Sequence, residues 1–110
     1  MEKFFMIARI WHGWTNMQNK DAYEQLLSNE IFIHISNRNI EGYKGIELLK
    51  RITNNEAEFI TIMYFDNLTA VKQFAGENYE TAVVPENARR LLLRYEDISQ
   101  HYEILKEKEI

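Results

Sequence analysis

Two runs in this chain are strand-like and apolar on both of their faces, and that pattern restricts the fold more than any other feature. From Phe4 to Trp14 the sequence is β-branched and aromatic, with Arg9 and His12 set inside it. Side chains alternate across a strand. Yet Phe5, Ile7 and Trp11 occupy one parity while Phe4, Met6, Ala8 and Ile10 occupy the other. The run from Glu56 to Phe65 does the same, with Ile60, Ile62 and Tyr64 against Phe59, Met63 and Phe65. A sheet made of such strands has to be covered twice, because an apolar patch of that size is rarely left in water.

The remaining segments show what is available as cover. Thr15-Asn16-Met17-Gln18 fits a capping box, and Ala22, Tyr23, Leu26 and Leu27 follow at helical spacing, which predicts a first helix with one apolar face. Ile31 to Ile35 is compatible with either a continued helix or a short extended piece. A second strand is expected over Ile40 to Ile52, with Gly42 and Gly45 as bulge or close-approach positions. Asn54-Asn55 suits a tight hairpin turn into the third strand. Asp66 is placed to cap a second helix carrying Leu68, Val71, Phe74 and Ala75, with Gly76 as its stop. Pro85-Glu86 predicts a short helix through Leu92, and Ile98 to Leu105 a last strand.

Strand, helix, strand, strand, helix, strand is the ferredoxin-like βαββαβ order, an α+β fold. It gives a four-stranded antiparallel sheet with helices on one side. The second face is then expected to meet the same sheet of a second copy across a two-fold axis, giving a homodimer through the sheet face.

Composition narrows the function classes. The 110 residues (13.2 kDa) fit a single domain, 1–110, with 106–110 read as a frayed tail. Acids outnumber bases by 17 to 13, a net charge of −4, and no basic run accompanies the aromatics, so nucleic acid and anionic membranes are poor partners. Cysteine is absent, which removes disulfides, thiolate metal sites and a Cys nucleophile. No targeting or membrane-spanning segment is read from the chain, and the expectation is a soluble cytoplasmic protein. No Ser-His-Asp set, phosphate-cradling loop or dinucleotide fingerprint is present.

His12, near the end of a central strand, is the candidate catalytic residue, as general base or hydrogen-bond donor toward a phenolic substrate. Its alternative is a strand-edge or interface role. His101 is expected beside the first strand, but the spacing of the two histidines carries no metal signature and no metal site is expected. Trp11 and Trp14 lie on opposite parities and cannot both line one cavity. Tyr64, Phe74 and Tyr79 are expected to form an aromatic cleft between sheet and helices, with ordinary core as the alternative for Phe74. Trp11, Tyr64, Phe74, Tyr79 and His101 are thus the candidate substrate contacts, gathered near His12. Arg9 in an apolar strand is expected to pair with a carboxylate such as Glu103 or Glu58, within the chain or across the dimer, a substrate carboxylate being the other option.

Ala8-Arg9-Ile10-Trp11-His12-Gly13, Phe74-Ala75-Gly76-Glu77-Asn78, Ala82-Val83, Pro85-Glu86-Asn87-Ala88-Arg89 and His101-Tyr102-Glu103 together resemble one branch of the antibiotic biosynthesis monooxygenase family. The resemblance spans roughly residues 5 to 105, and the stretch from Phe74 to Leu92 is its most specific part. It implies a dimeric α/β barrel, and oxygen chemistry on electron-rich phenols, quinols or polyketides with no cofactor. Haem-degrading relatives carry an Asn on the first strand, a Trp ending the third and a His in the helical region after it. Here residues 4–14 hold no Asn, Tyr64 stands at the Trp position, and 67–92 hold no His, which argues against haem breakdown. Two functions follow as expectations: a cofactor-independent monooxygenase on a small aromatic or polyketide-like substrate, or a non-catalytic dimer that binds a small hydrophobic ligand.

Overall fold

The structure is a computed structural model that describes residues 6–106. Phe4 and Phe5 of the first expected strand, and 107–110 of the expected tail, lie outside the described residues. The elements in chain order are β1 (Met6–Asn16), α1 (Lys20–Leu26), a π-helical turn (Leu27–Ile31), α2 (Phe32–Asn37), β2 (Tyr43–Thr53), β3 (Glu56–Phe65), α3 (Leu68–Ala75), α4 (Glu86–Arg89), β4 (Arg94–Tyr95) and β5 (Gln100–Ile104). Every strand pairing is antiparallel, and the order across the sheet begins β2-β3-β1. The outer edge of β1 is shared: β5 pairs with Met6 to Ile10, and β4 with Gly13 and Trp14. The fourth position of the βαββαβ sheet is therefore occupied by two segments in series.

Local chemistry explains most of these boundaries. Asn54 and Asn55 both sit at positive φ, 50° and 61°, the geometry a two-residue hairpin needs to match strand twist. Gly45 lies at a register shift in β2, where a bulge carries the strand away from Tyr43. Thr15 does not cap a helix. It stays in β1 opposite Ala57, fully buried, and the Asn16 carboxamide oxygen accepts the Asn19 backbone N–H at 2.7 Å to hold the turn into α1. The cap of α3 is Asn67, whose side chain accepts the Ala70 N–H at 2.9 Å, rather than Asp66. Asp66 instead donates its backbone N–H to the Gly42 carbonyl at 2.7 Å. The helix opening at Pro85 stops at Arg89, short of the expected Leu92.

Ile31 to Ile35 is helical, and the π turn shows why periodicity left it open. Tyr23, Leu27, Ile31 and Ile35 all lie on the sheet side. An ideal α-helix turns about 100° per residue, so a strict four-residue row drifts by about 40° at each step. A wider π turn takes up that drift and keeps the row facing the sheet.

The pairing register sorts the strand residues into two faces. Arg9, Trp11 and Thr15 of β1 share the helix side with Ala57, Phe59, Met63 and Phe65 of β3. Tyr23 packs on Phe59 at 4.8 Å between ring centroids, and Val71 and Ala70 of α3 pack with Phe65. Each such fully buried ring or branched chain is worth about 1.5–3 kcal/mol of transfer free energy. Ala8, Ile10, His12 and Trp14 face the other way with Ile60, Ile62 and Tyr64, and none of these belongs to either buried cluster. Leu49 and Tyr102 flank them at 43% and 52% exposure. The second apolar face is there, and no described helix covers it.

Candidate functional site

Between the sheet and the helices lies a mainly apolar cavity of about 70 Å³. Arg9, Trp11, Thr61, Met63 and Ile46 form its floor, and Tyr23, Leu27, Ile31, Phe32 and Ile35 form its roof. Phe74, the Val83–Pro85 segment, Ala88 and Ser99 close the sides. A cavity that holds a benzene needs about 150 Å³, so the inner space alone admits only a small group. It adjoins an outer cleft of about 580 Å³ that shares Ile31, Ile35, Phe74, Val83 and Pro85 with it and adds Glu30, His34, Arg38 and Asn87. Phe74 stands at the junction. Two guanidinium groups, those of Arg9 and Arg38, each lie over its ring at 5.4 Å from the centroid. Arg38 is tied down by donating to the carbonyls of Gln73 (3.0 Å) and Phe74 (3.3 Å).

Arg9 is 3% exposed, the most buried cation described. Its Nη1 donates to the Tyr79 carbonyl and contacts His101 Nε2 at 3.0 Å, and its Nη2 donates to the Thr81 carbonyl at 3.3 Å. Within the chain, neither Glu103 nor Glu58 is the carboxylate partner expected for it. Among the described residues no Asp or Glu lies within ion-pair distance of Arg9. Glu58 belongs to the opposite face, where it takes Arg51 at 2.7 Å. Burial pulls the Arg9 pKa down to about 10, which leaves it charged at neutral pH. His101 is pushed below the ordinary histidine value, first by burial and then by the Arg9 charge. A neutral imidazole suits an acceptor role toward Arg9. Tyr79 packs edge-on against His101 at 5.2 Å.

The sequence-derived candidates do not form one constellation. Trp11 and Phe74 line the cavity, with Trp11 fixed by an indole N–H to the Glu96 carbonyl at 2.7 Å. Tyr79 and His101 stand behind Arg9 and buttress it. His12 and Tyr64 are on the far side of the sheet. His12 Nδ1 sits 3.7 Å from Glu58 and 3.9 Å from Glu96, and the Tyr64 hydroxyl donates to Glu47 at 2.7 Å. Tyr64 is therefore no part of a cleft with Phe74, and His12 does not face the cavity. The cause is strand alternation: His12 and Tyr64 have the parity of Ile10 and Ile62, and Trp11 has that of Arg9.

Thr61, Ser99 and Arg38 line the cavity or its mouth without having been singled out from sequence. The first two were recoverable, since Thr61 pairs with Trp11 and Ser99 has the parity of His101. Arg38 carries no such signal. Among the described residues no cluster of three or more His, Asp or Glu is arranged to hold a metal ion. The described helices also include none long and apolar enough to cross a membrane.

No family model matches the chain, and no curated protein matches it either. Solved structures do. Rv0793 from Mycobacterium tuberculosis superposes with a TM-score of 0.57 at 17% identity, covering 94% of this chain and 97% of its own. A provisionally named antibiotic biosynthesis monooxygenase from Bacillus cereus superposes with a TM-score of 0.58 at 9% identity, covering 98% of both chains. At these identities the likeness is one of fold, and it extends over the whole domain.

Proposed function

We propose that this chain takes a small aromatic or polyketide-like molecule into the outer cleft, with one group reaching the inner cavity between sheet and helices, and acts there as a cofactor-independent monooxygenase-like protein. The observation that carries the reading is the cavity itself: an apolar space floored by Trp11, sided by Phe74 and opening to a larger cleft. The fold shared with the Bacillus cereus protein supports the reaction class. Oxygen chemistry without a cofactor asks for an electron-rich substrate held as its anion in a dry site. The apolar walls suit that demand. The functional unit in this reading is a homodimer through the uncovered sheet face, with the cavity complete inside each copy.

A second reading, a non-catalytic binding dimer, is favoured by one specific feature. Among the described residues no histidine, aspartate or glutamate lines the inner cavity, and His12, the expected base, lies across the sheet.

An oxygen electrode beside a melting curve separates the two. With an electron-rich naphthol as probe, uptake above the protein-free rate together with a raised Tm supports the oxygenase. A raised Tm without uptake leaves the binder, and neither response sinks both. Thr61→Leu, which replaces the floor hydroxyl with a bulkier branched chain, is expected to abolish whichever response the wild type gives. His12→Ala is expected to leave ligand binding unchanged.

A further inference from the structure

We propose that the ligand of this cavity is an acid, an aromatic or apolar carboxylate, and that Arg9 is its counter-ion; the inference rests on the cavity being the binding site. A guanidinium held 3% exposed in an apolar floor is costly unless its charge is balanced. The described residues supply Arg9 with acceptors but no anion within ion-pair distance. Its three partners, the carbonyls of Tyr79 and Thr81 and the His101 ring nitrogen, are neutral groups. They orient the head group and use three of its five N–H donors, leaving two with no protein partner among the described residues. Arg9 lines the cavity, so a ligand carboxylate entering it meets an unneutralised, pre-oriented cation.

The arrangement around Arg9 keeps that cation available. Phe74 caps one side of the guanidinium, and Tyr79 and His101 hold it from behind. Glu80 acts on His101, where it opposes the effect of burial, and makes no ion pair with Arg9. At the mouth, Arg38 lies over the Phe74 ring and presents a second cation on the entry route, with Glu30 and His34 on the same rim. The chain as a whole carries −4, so the attraction for an anion is local to this path.

Matched probes on the intact protein test it: 2-naphthoate against 2-naphthamide, the same ring with and without a charge, by calorimetry at neutral pH. The acid is expected to bind at least about tenfold more tightly, the worth of a hydrogen bond to a charged group. Arg9→Gln is expected to erase that preference, with amide binding retained, and Arg9→Lys to keep part of it. Equal affinity for the two probes overturns the acid assignment while leaving the cavity as the binding site. No binding of either overturns the cavity reading with it. A preference lost in Arg38→Gln but kept in Arg9→Gln overturns the role given to Arg9. Should Arg9→Gln fail to fold, the wild-type probe pair and Arg9→Lys still decide.

Discussion

Gly13 shows how tightly the floor around Trp11 is drawn. A Cβ built there would meet Trp11 Cη2 at 2.7 Å and a Leu92 methyl at 3.1 Å. Trp11 cannot swing aside freely, since its indole N–H is committed to the Glu96 carbonyl. Gly13→Ala is therefore expected to cost about 1–3 kcal/mol, the range of an overpacked core, and to shift the tryptophan fluorescence. An unchanged Tm and spectrum would mean that the ring relocates without penalty. His101 makes a pH prediction at the same scale. Its folded-state pKa is lowered by burial and by Arg9, so the unfolded chain takes up a proton first as acid is added. Its stabilising contribution is complete above the ordinary histidine value of about 6.5 and is lost as pH falls through the lowered value. Melting curves from pH 7.5 to 5 are expected to decline less steeply in His101→Gln than in wild type. Parallel curves would exclude the imidazole as a source of acid sensitivity.

Elements were legible in this sequence wherever a local rule had no competitor. The Asn54-Asn55 hairpin and the third strand, Glu56–Phe65, lie where their residues put them, because positive φ at paired asparagines leaves few alternatives. The helix starts were harder. Thr15 has the chemistry of a cap, but pairing with Ala57 in the central strand outweighs about 1 kcal/mol of capping. The sequence reading puts the α3 cap at Asp66, and the structure moves it one residue on, to Asn67. Asn67→Ala is expected to destabilise by about 1 kcal/mol through loss of the Ala70 N–H partner. Asp66→Ala removes only an exposed pairing with Lys44 at 3.5 Å and is expected to change stability by about 0.5 kcal/mol or less. Reversed magnitudes in denaturant titrations would return the cap to Asp66. The split outer edge, β4 with β5, had no sequence signal, because a two-residue strand shows no periodicity. The site was half legible for a related reason. Strand parity assigned Trp11 and Trp14 to different faces, and the same count places His12 away from the cavity. Which parity faces the helices is decided by packing of Tyr23 and Leu27, which the strand sequence does not contain.

At the scale of the molecule, the uncovered sheet face links the strand pattern to assembly. Ile10, Ile60 and Ile62 run across its centre, with Leu49 and Tyr102 beside them. Polar groups are present but mutually paired: Tyr64 with Glu47, His12 near Glu58 and Glu96, and Arg94 bidentate on Glu56 at 2.9 Å while stacked over Trp14 at 4.7 Å. A face whose charges are already matched loses less on leaving water than one whose charges are bare. An apolar centre within a paired polar margin is the anatomy of an interface core and rim. A specific dimer buries on the order of 800 Å² per partner. Wild type is therefore expected to elute from a sizing column as two copies at micromolar concentration. Ile62→Lys, at the centre of the face, is expected to elute as one. Because the cavity lies on the opposite side of the sheet and is lined within a single chain, the Ile62→Lys monomer is expected to retain the acid-over-amide preference. A monomeric wild type would leave the second apolar face without its proposed cover. A monomeric variant that binds neither probe would show instead that the partner copy holds the cavity open through the sheet between them.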